Sequence, residues 1–249
     1  AEKAKPYQEK IVEAVNLLSN HIDPSMHTLL QNGNPSGRTL IVLIATNKGL
    51  AGGLNTALFR KMMNWFPKFD SVDFVTLGTK GEHFVVRSGA TLLADFSDSE
   101  FIMNAQAVTE LFIEKFLSGT HKEVYLVFNT FINSMKQEPV KRLVLPISLA
   151  EATDASIEKS EEFHQEFQIE PSPGEVLQSL LPHYVEIQVR SAILEATASE
   201  HSARMVAMKN ATDNARDLIE DFTLMYNRLR QERITYEIAD MVTARFSME

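Results

Sequence analysis

The sequence predicts an α/β protein made of a Rossmann-like α/β domain with a largely parallel sheet and a long antiparallel coiled coil. Three observations predict it. Residues 39–147 alternate short apolar runs with amphipathic helical stretches, the pattern of strands and crossover helices. Residues 183–249 contain neither glycine nor proline and are rich in strong helix formers. One helix over that span would reach roughly 100 Å, too long for any compact domain to cover. Within it, positions 208, 211, 215, 218, 222, 225, 229, 232, 236, 239, 243 and 246 recur three and four apart, and all are Met, Ala, Leu or Phe except Glu232, Tyr236 and Thr243. A heptad stripe of this kind packs against a partner helix.

Residues 6–30 open with Pro6, suited to a first helical turn, and Tyr7, Ile11, Ala14 and Leu18 follow at four, three and four. This is a second, shorter helix, interrupted or ended by Pro24. Residues 31–37, rich in Asn, Gly, Pro and Ser, form a loop. Residues 39–46 are an unbroken apolar run, the mark of a strand buried on both faces. A helix over 54–65, a strand over 72–77, a helix over 80–87 and a weaker strand over 91–96 follow. A helix over 100–117, a strand over 123–129 and an edge strand over 140–147 complete the domain. Residues 151–170 carry seven carboxylates against Lys159 and read as a solvated connector. A short helix over 175–181 leads through Pro182 into the long one. The domain plan is therefore 1–37, the end of an N-terminal coiled-coil helix and a loop; 38–150, the globular domain; 151–174, the acidic connector; and 175–249, the long helix of the shaft.

The two helical ends are rooted on one domain and run in opposite senses. About 25 residues of the first span roughly 37 Å, so it covers the second only from about 183 to 208. The clean seam begins where that cover stops, with Met208, Ala211, Ala215, Leu218, Phe222, Met225, Leu229, Tyr236 and Ala239. Either further helical residues precede Ala1, or another protein covers the seam, or both.

Lys and Arg number 24 and Asp and Glu 33, a net charge of −9, which argues against a general binder of nucleic acid or of anionic membranes. There is no cysteine, which excludes disulfides and thiolate chemistry. No run approaches the roughly 18 apolar residues of a membrane span. Seven scattered histidines lack ligand spacing, no nucleophile elbow is present, and the carboxylates of 151–170 nominate no acid–base pair. No catalytic residue, metal or cofactor is expected. Asn47-Lys-Gly-Leu-Ala-Gly-Gly-Leu-Asn55 follows the first strand, where phosphates bind in α/β folds, but it has neither the P-loop ending nor the dinucleotide-binding spacing. It reads first as a tight turn and second as a nucleotide site. Arg228, Arg230 and Arg233, with Glu232 and Glu237, read as a solvated face with i,i+4 pairs or as a set that meets a partner.

Together, two stretches resemble one family. The 47–55 loop is similar to a glycine-rich segment of the gamma subunit of F-type ATP synthases. Ala198-Ser-Glu-His-Ser-Ala-Arg-Met-Val-Ala-Met-Lys-Asn-Ala-Thr-Asp-Asn-Ala215 resembles that family's rod sequence, which continues as Leu224-Met-Tyr-Asn-Arg-Leu-Arg-Gln-Glu-Arg-Ile-Thr-Tyr-Glu237. Met135-Lys-Gln-Glu-Pro139 and Glu170-Pro171 also match, in order, so the resemblance spans nearly the whole chain. Two departures stand out: most of the family's N-terminal helix before the Pro6-Tyr7 pair is missing, and Ala244 and Arg245 replace a Gly-Ala pair near the tip.

The resemblance implies a non-catalytic rotor shaft of an ion-translocating ATP synthase. It implies a ring of alpha and beta subunits, an epsilon subunit and a membrane c ring as partners. It implies a peripheral position on the cytoplasmic face of a bacterial inner membrane. It assigns contact with beta-subunit loops and coupling to Arg230, Gln231, Thr235, Glu237, Glu200 and Arg204, and contact of the foot with the c ring to Glu170 and Phe167. Outside the resemblance, a nucleotide-binding enzyme using the 47–55 loop and a homodimeric coiled-coil tether are the alternatives.

Overall fold

The computed structural model describes Lys10, residues 27–147 and residues 173–247, apart from the side chains of Pro173 and Phe246. The expected helix over 6–30, except for its last residues and Lys10, and the connector over 151–170 therefore lie outside the described residues. The chain divides into two units, Ala1–Arg204 and Met205–Glu249.

In the first unit a five-stranded sheet has the order β3-β2-β1-β4-β5. The strands are β1 (Arg38–Ile44), β2 (Val72–Leu77), β3 (Thr91–Asp95), β4 (His121–Asn133) and β5 (Lys136–Leu145). β1 pairs in parallel with β2 and β4, β2 in parallel with β3, and only β5 is antiparallel, against β4. The helices between the strands are α1 (Leu54–Trp65), α2 (Thr79–Arg87) and α3 (Ala105–Leu117). The mixed fold with a largely parallel sheet is thus as expected, and so is the edge position of the last strand.

The bounds of β4, β5 and α3 differ from the sequence reading. β4 and β5 extend toward each other until the hairpin closes at Ser134 and Met135, beyond the apolar runs. Cross-strand backbone bonds carry them there, with no need of buried side chains. α3 starts at Ala105 rather than near residue 100, because residues 101–104 form turns.

Alternation along β1 explains the layers. Leu40, Val42 and Ile44 face one side, where Val108, Phe112 and Phe116 of α3 complete a core. Ile41 and Leu43 face the other, against Leu58 and Met62 of α1 and Val85 of α2. Both faces being covered, β1 has no polar side from Leu40 to Ile44. β2 leaves so close to β1 that a Cβ on Gly78 would lie 2.2 Å from the Ala45 carbonyl oxygen, and its φ is +110°. Only glycine fits there.

The helix α4 (Pro173–Phe246) contains Pro182. The short helix expected over 175–181 and the rod expected from 183 are therefore one element. Pro182 has no N–H for the Gln178 carbonyl, a defect that costs about 3 kcal/mol in a helix interior. On both sides of it Leu177, Leu181, Val185, Val189, Ala192 and Ile193 are buried in the first core. Each large apolar side chain so buried is worth about 1.5–3 kcal/mol, enough together to carry the helix through the proline.

Ahead of β1, a 3₁₀ turn (Thr28–Leu30) inserts Leu29 and Leu30 into the same core, and His27 caps it by accepting from Leu29 N at Nδ1, 3.2 Å away. Burial pushes the His27 imidazole below its ordinary pKa. The folded state then favours the neutral, accepting ring, so this contribution to stability is present above the ordinary value of about 6.5 and is lost as pH falls below it. Amide exchange at Leu29 should accelerate, relative to that at Ile147, as pH is lowered from 7.5 to 5.5 after correction for intrinsic exchange rates.

Candidate functional site: a filled sheet crevice and a bare helix

In an open parallel sheet, ligands enter the crevice at the carboxyl ends of the strands where the strand order reverses. Here β2 and β3 lie on one side of β1 and β4 and β5 on the other, so the reversal falls between β1 and β4. The 47–55 loop leaves β1 there, which is why it drew attention as a phosphate site.

Side chains at the loop's two ends bond to its neighbours. Asn55 Nδ2 donates to Thr46 Oγ1 at 2.7 Å, and Thr46 Oγ1 donates to the Lys48 carbonyl at 2.8 Å. Asn47 Nδ2 donates to the Ser97 carbonyl at 3.0 Å, while its Oδ1 accepts from Thr79 N at 2.9 Å. Three loops after three strands are thereby tied together. Leu50 takes φ +63° and Gly52 φ +58°, so a tight turn with left-handed residues is what the loop forms.

The crevice itself is filled by α4. Ala196, Thr197 and Glu200 lie with Ile44, Thr46 and Asn129 around a cavity of only about 10 Å³. Glu200 Oε1 accepts from Arg204 Nη2 at 2.5 Å, and Arg204 Nε donates to the Gly49 carbonyl at 3.3 Å. The helix thus clamps the glycine loop from above. A ligand entering between β1 and β4 would have to displace it; beside it an open hollow of about 490 Å³ is lined by Asn47, Lys48, Phe101, Thr197, Glu200 and Arg204.

Further polar ties hold the same helix to β4 and β5. Glu195 accepts from Thr130 Oγ1 at 2.5 Å and from Arg142 Nη2 at 3.4 Å, and Arg142 also stacks over Phe128. Ser199 Oγ donates to the Asn129 carbonyl at 3.0 Å, a buried bond. The Asn129 carbonyl is thus an acceptor that the helix satisfies. Ser199→Ala would strand it, and the expected loss is about 1–3 kcal/mol in urea unfolding of the first unit.

Of the residues singled out in the sequence, the structure brings together Glu200 and Arg204. Glu170 and Phe167 lie outside the described residues. In the second unit the seam is bare: Phe222, Met225 and Leu229 are 65%, 60% and 54% exposed. Met208, Ala211, Ala215, Leu218, Tyr236 and Ala239 are exposed as well. Arg230, Gln231, Thr235 and Glu237 are exposed, with Thr235 Oγ1 donating to the Gln231 carbonyl at 2.9 Å and Arg233 paired to Glu237 at 2.9 Å. The i,i+4 pair expected of a solvated face is formed.

One feature of this unit escaped the sequence reading. Ile234, Ile238 and Met241, at four and three, are also exposed. They lie at positions f and c of the same heptads, opposite the seam, on the side that carries Arg230, Gln231 and Glu237. Their i, i+4, i+7 spacing was legible but overshadowed by the longer stripe.

The family model described as ATP synthase matches residues 1–247. An ATP synthase gamma chain of Akkermansia muciniphila is 36% identical over 257 residues, covering 100% of this chain and 87% of that protein. One of Legionella pneumophila is 35% identical over 246 residues, covering 96% and 84%.

The chain belongs to the ATP synthase gamma-chain family.

A solved chain from the mitochondrial ATP synthase of Euglena gracilis, in an OSCP/F1/c-ring structure, superposes with a TM-score of 0.63 over 99% of this chain and 91% of that one, at 18% identity. At that identity the likeness is one of fold. As a member of the gamma-chain family, the protein is a non-catalytic subunit of F-type ATP synthase, and its sheet crevice serves as a socket for its own helix. No described helix is long and apolar enough to cross a membrane.

Proposed function

We propose that this chain is the rotor shaft of an F-type ATP synthase. It couples ion-driven rotation of a membrane c ring to conformational changes in beta-subunit catalytic sites. The observation that carries the reading is the contrast along α4 in a gamma-family chain. Up to Arg204 it is fastened to the sheet by buried apolar residues and the Glu200–Arg204 clamp, whereas from Met205 onward it is exposed on two apolar faces. A face that would be costly to leave in water is a face for a partner. The seam suits a second shaft helix, with the opposite face left for the ring of alpha and beta subunits.

On this reading Arg230, Gln231, Thr235 and Glu237 meet beta-subunit loops. Differential contacts with successive beta subunits bias their conformational equilibria, which is all that a non-catalytic part needs to do. Glu200 and Arg204 transmit torque by holding the helix to the globular domain, and Glu170 and Phe167 belong to a foot that faces the c ring beside epsilon. The domain plan of 1–37, 38–150, 151–174 and 175–249 goes with this assignment. So does a peripheral place on the cytoplasmic face of a bacterial inner membrane.

Reconstitution tests it. Alpha and beta subunits from the same source, mixed with this chain carrying any native N-terminal extension, should give a stable complex with ATPase activity that the alpha and beta subunits alone lack. Absence of any co-purifying complex would count against the assignment. A symmetric homodimer formed through 208–246, stable in the presence of alpha and beta, would favour the tether instead.

A further inference from the structure

We infer that the small cavity between β1, β4 and α4 is a binding site for one internal water molecule, which donates to Asn129 Oδ1 and to the Glu200 carboxylate. Asn129 is 3% exposed and lines this cavity, and its Oδ1 is buried without a hydrogen-bond donor among the described residues. A buried acceptor left bare costs about as much as a lost hydrogen bond, and native proteins rarely tolerate one.

The other polar side chains of the wall have no hydrogen to give. The Thr46 hydroxyl donates to the Lys48 carbonyl and the Thr197 hydroxyl to the Ile193 carbonyl, at 2.8 Å each. Glu200 as a carboxylate only accepts. The wall is therefore rich in acceptors and poor in donors, and whatever fills it must bring hydrogens or positive charge.

Size and charge choose between those two. The volume is about 10 Å³, which is close to the minimum for a single water and leaves nothing over. A hard divalent cation takes six or more oxygen ligands, and two of the candidate carbonyls here are already occupied: that of Thr46 accepts from Lys80 N, and that of Asn129 from Ser199. The negative charge of Glu200 is already matched by Arg204. A neutral ligand with two donors fits the balance. Such a water joins the end of β4 to the Glu200–Arg204 clamp, so that the socket of the helix is closed by a solvent molecule as well as by side chains.

The test is made on the whole chain. Water-oxygen magnetic relaxation dispersion counts internal waters of long residence, and Asn129→Leu removes the acceptor while filling the space. The count should fall by one in the folded variant, and an unchanged count would overturn the inference. High-resolution density of the unsubstituted chain decides independently of whether the variant folds. A single peak within hydrogen-bond reach of Asn129 Oδ1 and Glu200 is expected. An empty cavity, or an anomalous peak after rubidium or manganese soaking, would overturn the inference.

Discussion

Replacing Phe222 and Leu229 together by Glu should disrupt pairing of the seam with the second shaft helix, and through it weaken assembly with alpha and beta subunits, while leaving the first unit as stable as before. Both side chains stand on the seam, 65% and 54% exposed. A partner that covers them gains about 1.5–3 kcal/mol for each large apolar side chain fully buried. Losing two such contributions weakens the pairing of the shaft helices by about 3–6 kcal/mol, roughly two to four orders of magnitude in its equilibrium constant. Burying two carboxylates without partners would add to the loss. In the isolated chain the same substitutions should be nearly neutral, since exposed positions of a helix tolerate Glu. Sedimentation of the reconstituted mixture reads the first effect and urea unfolding followed by Trp65 fluorescence reads the second. Assembly at wild-type affinity would mean that the seam is not an interface. A matching pair, Ile234→Glu with Ile238→Glu, asks the same of the opposite face and separates the two coverings.

How much of this was readable in the sequence depends on the range of the interaction concerned. β1 was plain because a strand covered on both faces needs an unbroken apolar run, and residues 40–44 supply one. α4 was plain from Met205 onward because a helix whose residues are largely exposed must carry its signal in its own periodicity. Its earlier part was misjudged at Pro182: local chemistry there says stop, and only the burial of Leu181 and Val185 against strands some forty or more residues away overrules it. The extension of β4 and β5 was hidden for a related reason, since backbone pairing leaves no side-chain pattern.

The site follows the same rule. Glu200 and Arg204 were picked out by resemblance, and their i,i+4 spacing made a mutual pair foreseeable. That Arg204 reaches the Gly49 carbonyl, 155 positions away in sequence, was not foreseeable. Nor was the pairing of Ser199 with the Asn129 carbonyl, 70 positions away. The glycine loop shows the converse. Its composition suggested a phosphate cradle, and only the tertiary bonds of Asn47, Thr46 and Asn55 reveal that these side chains tie the loop to its neighbours.

At the other end of the sheet, Asp73→Asn should cost about 1–3 kcal/mol, the range for losing hydrogen bonds to a buried charged group, since the Arg38 side chain is 41% exposed and water screens its charge. Asp73 has a side chain only 7% exposed and lies near the start of β2, which pairs with β1. Arg38 Nε donates to its Oδ2 at 2.9 Å, and His121, itself buried, donates from Nε2 to the same oxygen at 3.0 Å. Arg38 Nη2 stands 2.8 Å from Oδ1, a contact of charges rather than an aligned hydrogen bond, so Oδ1 lacks a hydrogen-bond donor and relies on the guanidinium's field. One carboxylate thus ties together the starts of three adjacent strands. Asparagine keeps the shape but removes the charge, leaving the Arg38 guanidinium without its counterion. Against a total stability of about 5–15 kcal/mol for a domain, the loss would be visible as a clear fall in the urea midpoint. A second variant separates the lost attraction from the stranded charge. If the penalty comes mainly from the orphaned guanidinium, adding Arg38→Met to Asp73→Asn should restore part of the stability, because an uncharged side chain on β1 needs no partner. If the double variant is no more stable than Asp73→Asn, the carboxylate's bond to His121 is the larger part of the tie.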